Sequence, residues 1–497
     1  MMGLPRYQQF IGGQWCEPNS KDYLESINPF TAKPWCLIPR GNTHDTARAI
    51  EAAHNAFTQG EWPKMNATMR GALLRQLGDL VAKNAEHLAQ VEVTDNGKLI
   101  SEMSAQLHYI PQWLYYYGGL ADKIEGRVLP IDKNDMFNYT LYEPLGVVAA
   151  ITAWNSPLLL MIWKLAPALA TGNTFVLKPS EYTSASAFEF AKLVEQAGFP
   201  PGVFNVVSGT GIEVGDTLTS HPLVAKVAFT GGTETGKHIY QQAASTIKKI
   251  SLELGGKSPN IVFADADLDN AAKGVISGIF AATGQTCIAG SRLLVEKSVH
   301  DTLLEKVVAI AKTAKMGNPL SYDTQVGPVT SKAQYEKILS YLEVAKSEGV
   351  KCVLGGHKAT KPECGDGWFI EPTIYTNVKN SMRIAQEEIF GPVLCVIPFE
   401  NEEEAIEIAN NVIYGLAAGL WTQNMARAFK LSKRLQAGTV WVNTYRSLSY
   451  MSPFGGYKQS GIGRESGQEA IYQYLQPKCV WISTANDVPN PFMMRLK

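Results

Sequence analysis

The sequence predicts an α/β protein: two doubly wound α/β domains with a small β element beside them. Three observations carry this. Between about 145 and 255, short β-branched runs alternate with helical runs through five strands. After 256 the alternation starts afresh and lasts to about 445. The chain has 497 residues, 45% apolar and 18% charged, which is core enough for two to four domains. Strands that alternate with helices need crossover connections, so they form parallel sheets covered on both faces. Such sheets bind ligands outside the carboxyl ends of their strands.

In chain order, residues 44–122 read as mainly helical, and 124–145 as two strands around a polar turn. The first α/β unit has strands at 147–152, 174–178, 204–208, 226–230 and 249–254. Its first helix has Ser156 as N-cap and Pro157 at the first helical position, and ends near Gly172. A second helix runs from about 183 to 198. The apolar run 147–170 resembles a membrane span, which needs about 20 apolar residues with few charges. Asn155, Ser156, Pro157, Lys164 and Pro167 break it, and it reads as a buried strand, a turn and a buried helix. The second unit opens with a strand at 260–263, a helix at 267–283, a strand at 291–297 and a helix at 300–315. A late strand at 473–483 precedes a polar, Pro-containing tail. No repeat at a 20–50-residue period is visible.

Composition excludes several function classes. A net charge of −1 gives no electrostatic draw to nucleic acid or to an acidic membrane. Seven scattered cysteines without a C-x-x-C pair argue against disulfides or a zinc ribbon and for a reducing, cytoplasmic setting. Eight dispersed histidines without H-E-x-x-H predict no metal site. The first residues lack the basic and apolar regions of a signal peptide.

Two glycine-rich turns invite a nucleotide reading. Gly209-Thr-Gly211-Ile-Glu-Val-Gly215 follows a strand but is one residue longer than the dinucleotide fingerprint. Gly231-Gly-Thr-Glu-Thr-Gly236-Lys237-His238 follows the phosphate-loop pattern until its last position. There the Mg²⁺-ligating Ser or Thr is replaced by His238, which weakens a nucleotide hydrolase reading. Glycines that open a helix after a strand still offer N–H groups to a phosphate. A sharper pair of turns is Glu253-Leu254-Gly255-Gly256 and Gly284-Gln285-Thr286-Cys287. A free cysteine is usually a small buried apolar residue, but Cys287 sits in a glycine-containing turn rather than on an apolar helical face.

With these motifs the chain resembles the NAD(P)-dependent aldehyde dehydrogenase superfamily, of the hydrolytic, non-acylating type. The matching segments, in order, are Ala153-Trp154-Asn155-Ser156-Pro157, Leu177-Lys178-Pro179-Ser180-Glu181, Phe229-Thr230-Gly231, Leu252-Glu253-Leu254-Gly255-Gly256, Gly284-Gln285-Thr286-Cys287, Glu387-Glu388-Ile389-Phe390-Gly391-Pro392 and Pro453-Phe454-Gly455-Gly456-Tyr457-Lys458. The resemblance implies that Cys287 is the nucleophile, Asn155 an oxyanion donor and Glu253 the base that activates water, with Lys178 added to the catalytic set. It places Lys178 and Glu181 at the adenosine ribose, where a carboxylate favours NAD over NADP; NADP stays open. It implies further cofactor contacts from Thr152, Ala153, Trp154, Gly211, Gly215, Phe229, Gly231, Gly232, Leu254, Glu388 and Phe390. Gly232 stands where many relatives have Ser, and Ala282 where many have Asn.

Aldehyde contacts are assigned to Tyr109, Trp163, Thr286, Ile288, Tyr445, Arg446 and Phe454, with His108, Trp113, Tyr450 and Met451 nearby. This aromatic-rich set suits an apolar or aromatic aldehyde, or a semialdehyde if Arg446 holds a carboxylate. The implied domains are 1–123 with 146–255 for the cofactor, 256–455 for catalysis, and 124–145 with 456–497 for oligomerisation. A homodimer or homotetramer follows, with Tyr474, Leu475, Val480 and Trp481 covered by a partner. The rival reading is a catalytically inactive binding protein on the same fold.

Overall fold

The computed structural model describes residues 3–488 and 490–493. Residues 1, 2, 489 and 494–497 of the expected outer domain ranges lie outside the described residues.

The first sheet is built on five parallel strands. In spatial order they are Phe204–Val206, Thr174–Lys178, Val147–Ile151, Val224–Thr230 and Lys249–Glu253. The three central strands are rich in β-branched and small apolar residues, and Val147–Ile151 and Thr174–Lys178 are buried throughout, as strands covered on both faces must be. Chain order reverses between Val147–Ile151 and Val224–Thr230, the switch point at which such sheets open a ligand crevice. Three of the five strands end one or two residues earlier than expected: Thr152, Val207, Ser208 and Leu254 lie beyond them in the following loops.

The apolar run at 147–170 is that strand followed by the helix Pro157–Ala170, whose residues are buried except Leu159. Among the described residues no helix is long and apolar enough to cross a membrane. Ser156 occupies the N-cap position but does not cap. The amide of Leu158 donates instead to the buried Glu92 carboxylate at 2.8 Å. The helix dipole welcomes that charge.

The second sheet orders Lys351–Leu354, Thr373–Thr376, Val393–Phe399, Arg292–Glu296, Pro259–Val262, Ala417–Trp421 and Thr439–Val442. Only Lys351–Leu354 runs antiparallel. The expected helix at 267–283 ends at Ile279, and a 3₁₀ turn follows at Ala281–Gly284.

Two expectations for the outer segments change. Within 124–145 there is one long strand, Met136–Pro144; the earlier half contributes only a single bridge, Val128 to Tyr139. This strand pairs antiparallel with Leu475–Ser483. The boundary expected at 455/456 is crossed, because Gly461–Ile462 pairs with Leu252 and Glu253 on the edge of the first sheet. Tyr474 and Leu475, expected to need a partner, are already buried within the chain, with Lys226 Nζ over the Tyr474 ring at 5.0 Å. Phe137, Trp481 and Ile482 on the ribbon are exposed.

Candidate active site

A crevice of about 480 Å³ opens at the switch point. Every residue assigned to the cofactor lines it, and so do Cys287, Glu253, Asn155 and Lys178. Thr152, Ala153 and Trp154 leave one central strand; Phe229 lies near the end of the other, and Gly231 and Gly232 follow it. The helix Thr233–Ala244 starts directly after Gly232, which makes no side-chain cap and leaves open space where a β-carbon would be. Its first N–H groups and its dipole therefore face the crevice without competition, which suits a pyrophosphate. Lys237, which the phosphate-loop pattern would send to a phosphate, pairs with Glu234 on its own helix. The Gly211–Gly215 segment forms a single π turn at the other wall.

At the sugar end, Lys178 Nζ donates to Pro179 O at 3.1 Å and to Glu181 Oε2 at 3.3 Å. The Thr152 hydroxyl is buried without a partner. At the other end Glu388 accepts from the Gly256 amide at 3.0 Å. Trp154 and Phe390 meet edge to face at 5.1 Å, and the Phe390 carbonyl is held by Gln334. These carboxylates, the open helix start and the Thr152 hydroxyl line one crevice and together fit a dinucleotide.

Glu253 is the last residue of its strand, as residues at ligand-binding strand ends are. Both its oxygens are buried without partners. Gly455 approaches so closely that an added β-carbon would lie 2.8 Å from Glu253 Oε1. Cys287 comes from the second unit, on the loop before Arg292–Glu296. Gly256 passes against its carbonyl with no room for a side chain.

The loop that leads into Cys287 is held in a costly shape. Ala282 and Thr283 both take left-handed conformations with φ of 53°, which costs about 1–3 kcal/mol each. Hydrogen bonds to distant segments hold it. Glu102 accepts from the Ala282 amide (2.8 Å), and the Thr283 hydroxyl donates to Gly327 O (3.1 Å). The Thr330 amide donates to Gln285 Oε1 (3.0 Å), and Asn155 Nδ2 to Gln285 O (3.1 Å). Asn155 thus lies against the peptides that lead into Cys287.

Burial sets the protonation states. It pushes the Cys287 thiol up to about 12, helped by the Glu253 and Glu388 charges and eased by Lys98. Burial, then Glu465, holds the Glu253 carboxyl well above the carboxylate range; Lys164 and Arg464 pull the other way. Glu388 is raised by burial and eased by the Gly256 amide. Lys178 is lowered by burial and eased by Glu181. Behind Glu253, the buried Lys164 binds Thr230 Oγ1 at 2.6 Å and the Glu465 carboxylate.

The aldehyde residues gather less evenly. Trp163 lies between Trp113 (5.9 Å) and Phe454 (5.0 Å). Tyr450 touches Tyr109, Trp113 and Tyr116 at 5.3–6.1 Å. Thr286 is partly buried beside Cys287. Ile288 is buried, and its carbonyl accepts from Tyr445 at 2.9 Å. Tyr445 is therefore a prop beneath the nucleophile loop, packed on Trp441, and not part of the pocket wall. His108 turns outward to Ser104 O and Glu86, and Met451 is exposed. Arg446 makes one long contact, Nη1 to Ser277 O at 3.4 Å.

Sequence reasoning missed Lys98 and Glu102. A signal was present: Glu102 and Tyr109 recur at helical spacing within Ile100–Tyr109. Lys164 was visible as a lone charge in an apolar helix, whereas Glu465 carried no signal.

An activatable thiol, an amide donor and a buried carboxylate at the end of a dinucleotide crevice define a cysteine-dependent oxidoreductase of acyl compounds. A profile of the aldehyde dehydrogenase family matches residues 15–480, and the chain belongs to that family. It is 46% identical over 495 residues to the (Z)-2-((N-methylformamido)methylene)-5-hydroxybutyrolactone dehydrogenase of Acinetobacter baylyi, covering 99% of this chain and 100% of the relative. It is 43% identical to the betaine aldehyde dehydrogenase of Bacillus subtilis, covering 97% of this chain and 99% of the relative. Among solved structures it is similar to the betaine aldehyde dehydrogenase of Staphylococcus aureus in complex with NAD+. There the TM-score is 0.97 at 42% identity, over 98% of this chain and 97% of that one. Family membership retires the nucleotide hydrolase reading.

Proposed function

We propose that the chain oxidises an aldehyde to the free carboxylic acid with NAD+. The observation that carries this is the meeting of Cys287, the Asn155 amide and the unpartnered Glu253 carboxyl at one end of the crevice. Cys287 loses its proton through water to solvent, its thiolate attacks the carbonyl carbon, and a carbon–sulfur bond forms as the carbonyl π bond opens onto oxygen. The new oxyanion is met by Asn155 Nδ2 and the Cys287 amide; losing one such donor costs about 10²–10³ in rate. When bound, NAD+ accepts the hydride released from this carbon. A thioester on Cys287 remains. Glu253 takes a proton from water, the water oxygen attacks the thioester, and the acid leaves as the thiol is restored. A carboxylate base at this place favours water over a thiol acceptor, which supports hydrolysis rather than acyl transfer.

Glu181, held by Lys178, supports NAD+ over NADP+. The exposed Phe137, Trp481 and Ile482 on the two-stranded ribbon support a homodimer, or a pair of dimers. The domain reading is 1–123 with 146–255 for the cofactor, 256–455 for catalysis and the ribbon for assembly, with Gly461–Ile462 returned to the first. Absorbance at 340 nm with NAD+ and a set of aldehydes tests the reading. NADH and acid in equal amounts are expected; no NADH with any aldehyde would overturn it.

A further inference from the structure

The reaction uses one end of the crevice, and the opposite end carries a pair of side chains that it does not use. Hydride transfer requires the nicotinamide beside Cys287, and the open helix start after Gly232 suits the pyrophosphate. The second nucleoside of a dinucleotide is then left with the remaining stretch of the crevice. This stretch runs between the segment 211–216 on one wall and Thr235, His238 and Ile239 on the other. His238 stands about 7.5 Å along the helix from Thr233, its first residue.

The two walls meet there through a pair of side chains. His238 Nε2 donates to Asp216 Oδ1 at 3.1 Å; a carboxylate only accepts, so the hydrogen lies on the ring nitrogen. Both residues line the crevice. Asp216 opens the short helix Asp216–Ser220, directly after the π turn. His238 is the residue that breaks the phosphate-loop pattern, and it takes no part in the chemistry above. Beside the pair the lining is aliphatic: Ile212 is 83% exposed, Ile239 is buried, and Gly211 has open space where a β-carbon would be. Apolar walls with one polar rim suit a flat heterocycle, its faces on aliphatic carbon and its edge toward the pair. Among the described residues the second Asp216 carboxylate oxygen has no protein donor. What it can take is a hydrogen-bond donor. The 6-amino group of adenine is one, and the 6-oxo group of hypoxanthine is not.

We propose that Asp216, held across the crevice by His238, reads the base of the dinucleotide: it accepts from the exocyclic amino group of adenine and so selects an adenine over a hypoxanthine dinucleotide. This rests on the reading of the crevice as an NAD+ site and names the part of the cofactor that is read on its base. Asp216 is the specificity residue, and His238 is a positioning residue that acts through it. The Asp216 side chain is 41% exposed, so water competes for the bond. The expected discrimination is therefore about 10-fold, well below the roughly 10⁴ that a fully enclosed polar contact gives.

The experiment titrates the full chain with NAD+ and with nicotinamide hypoxanthine dinucleotide in a calorimeter, without aldehyde. NAD+ should bind about 10-fold more tightly. In Asp216→Ala the ratio of the two Kd values should fall to near one, chiefly through weaker NAD+ binding. In His238→Leu the ratio should fall about 3-fold, whereas His238→Gln, whose amide still donates to Asp216, should keep the wild-type ratio. A wild-type ratio near one, or a ratio that Asp216→Ala leaves unchanged, overturns this inference alone. Should Asp216→Ala fail to fold, the two His238 variants carry the test, and equal ratios in both overturn the inference. Binding of neither dinucleotide to the wild-type chain would instead remove the cofactor reading beneath it, and this inference with it.

Discussion

The two sides of the active site are made differently. The cofactor crevice is made by backbone: strand ends, glycine turns and an open helix start, each contained in a few consecutive residues. The proposed aldehyde side draws side chains from four distant segments, 109–116, 163, 286–288 and 446–454, which meet only through tertiary packing. Backbone sites are spelled in short motifs; side-chain sites are spelled in convergence. The first tolerates change between motifs, whereas the second can be retuned one residue at a time.

Substitutions at the junction of the two sides should have the largest effect. Cys287→Ala should lower aldehyde oxidation by about 10⁴-fold or more, while NAD+ binding measured by calorimetry stays close to wild type. Parallel loss of cofactor binding would break the separation between the two sides. Glu253→Gln should cost about 10²-fold or more in steady-state turnover. A first-turnover burst of NADH should persist in rapid mixing; a lost burst would place Glu253 before hydride transfer.

On the crevice side, Glu181→Ala should shrink the NAD+ over NADP+ preference in kcat/KM by about 10-fold, the worth of about 1.4 kcal/mol. An unchanged ratio would show that the ribose is read elsewhere. The pH response sharpens the junction. Both the Cys287 thiol and the Glu253 carboxyl are raised by burial, so both hold protons at low pH and become reactive as pH climbs. Without cofactor, alkylation of Cys287 by iodoacetamide, followed by peptide mass, should still be rising at pH 10, because the thiol is pushed up to about 12. A plateau below pH 8 would contradict the burial argument. The smallest effect on turnover per subunit is expected from Trp481→Glu, which should shift the oligomer toward monomer in light scattering.

Much of the fold was legible because the two alternating units use buried, β-branched strands with little ambiguity. Strand ends were overrun at Thr152 and Leu254, since a β-branched or apolar residue in a crevice loop looks the same as one in a ladder. Ser156 was read as a cap because local chemistry favours it; the cap came from Glu92, 66 residues away. In 124–145, alternation suggested two strands, but only Met136–Pro144 found a long partner. The crevice, and the meeting of Cys287 and Glu253 in it, were legible through their turns. Lys98, Glu102 and Glu465 were not, because a polar residue on a helix or in a loop ordinarily faces water. Tyr445 was placed in the right neighbourhood but given the wrong role.

The ribbon of Met136–Pro144 with Leu475–Ser483 also orders events during synthesis. Asn138 and Cys479, bonded across it, are 341 residues apart. At roughly 5–20 residues per second, a ribosome needs about 20–70 s to deliver the second strand after the first. Through that interval the first strand carries Phe137, Tyr139 and Tyr142 with no ladder beside it. A contact so distant along the chain is slow to form, so the ribbon is sealed late. The surface proposed for assembly is therefore complete only once the strand at 475–483 has emerged, and until then the first strand is an unpaired edge open to the wrong partner.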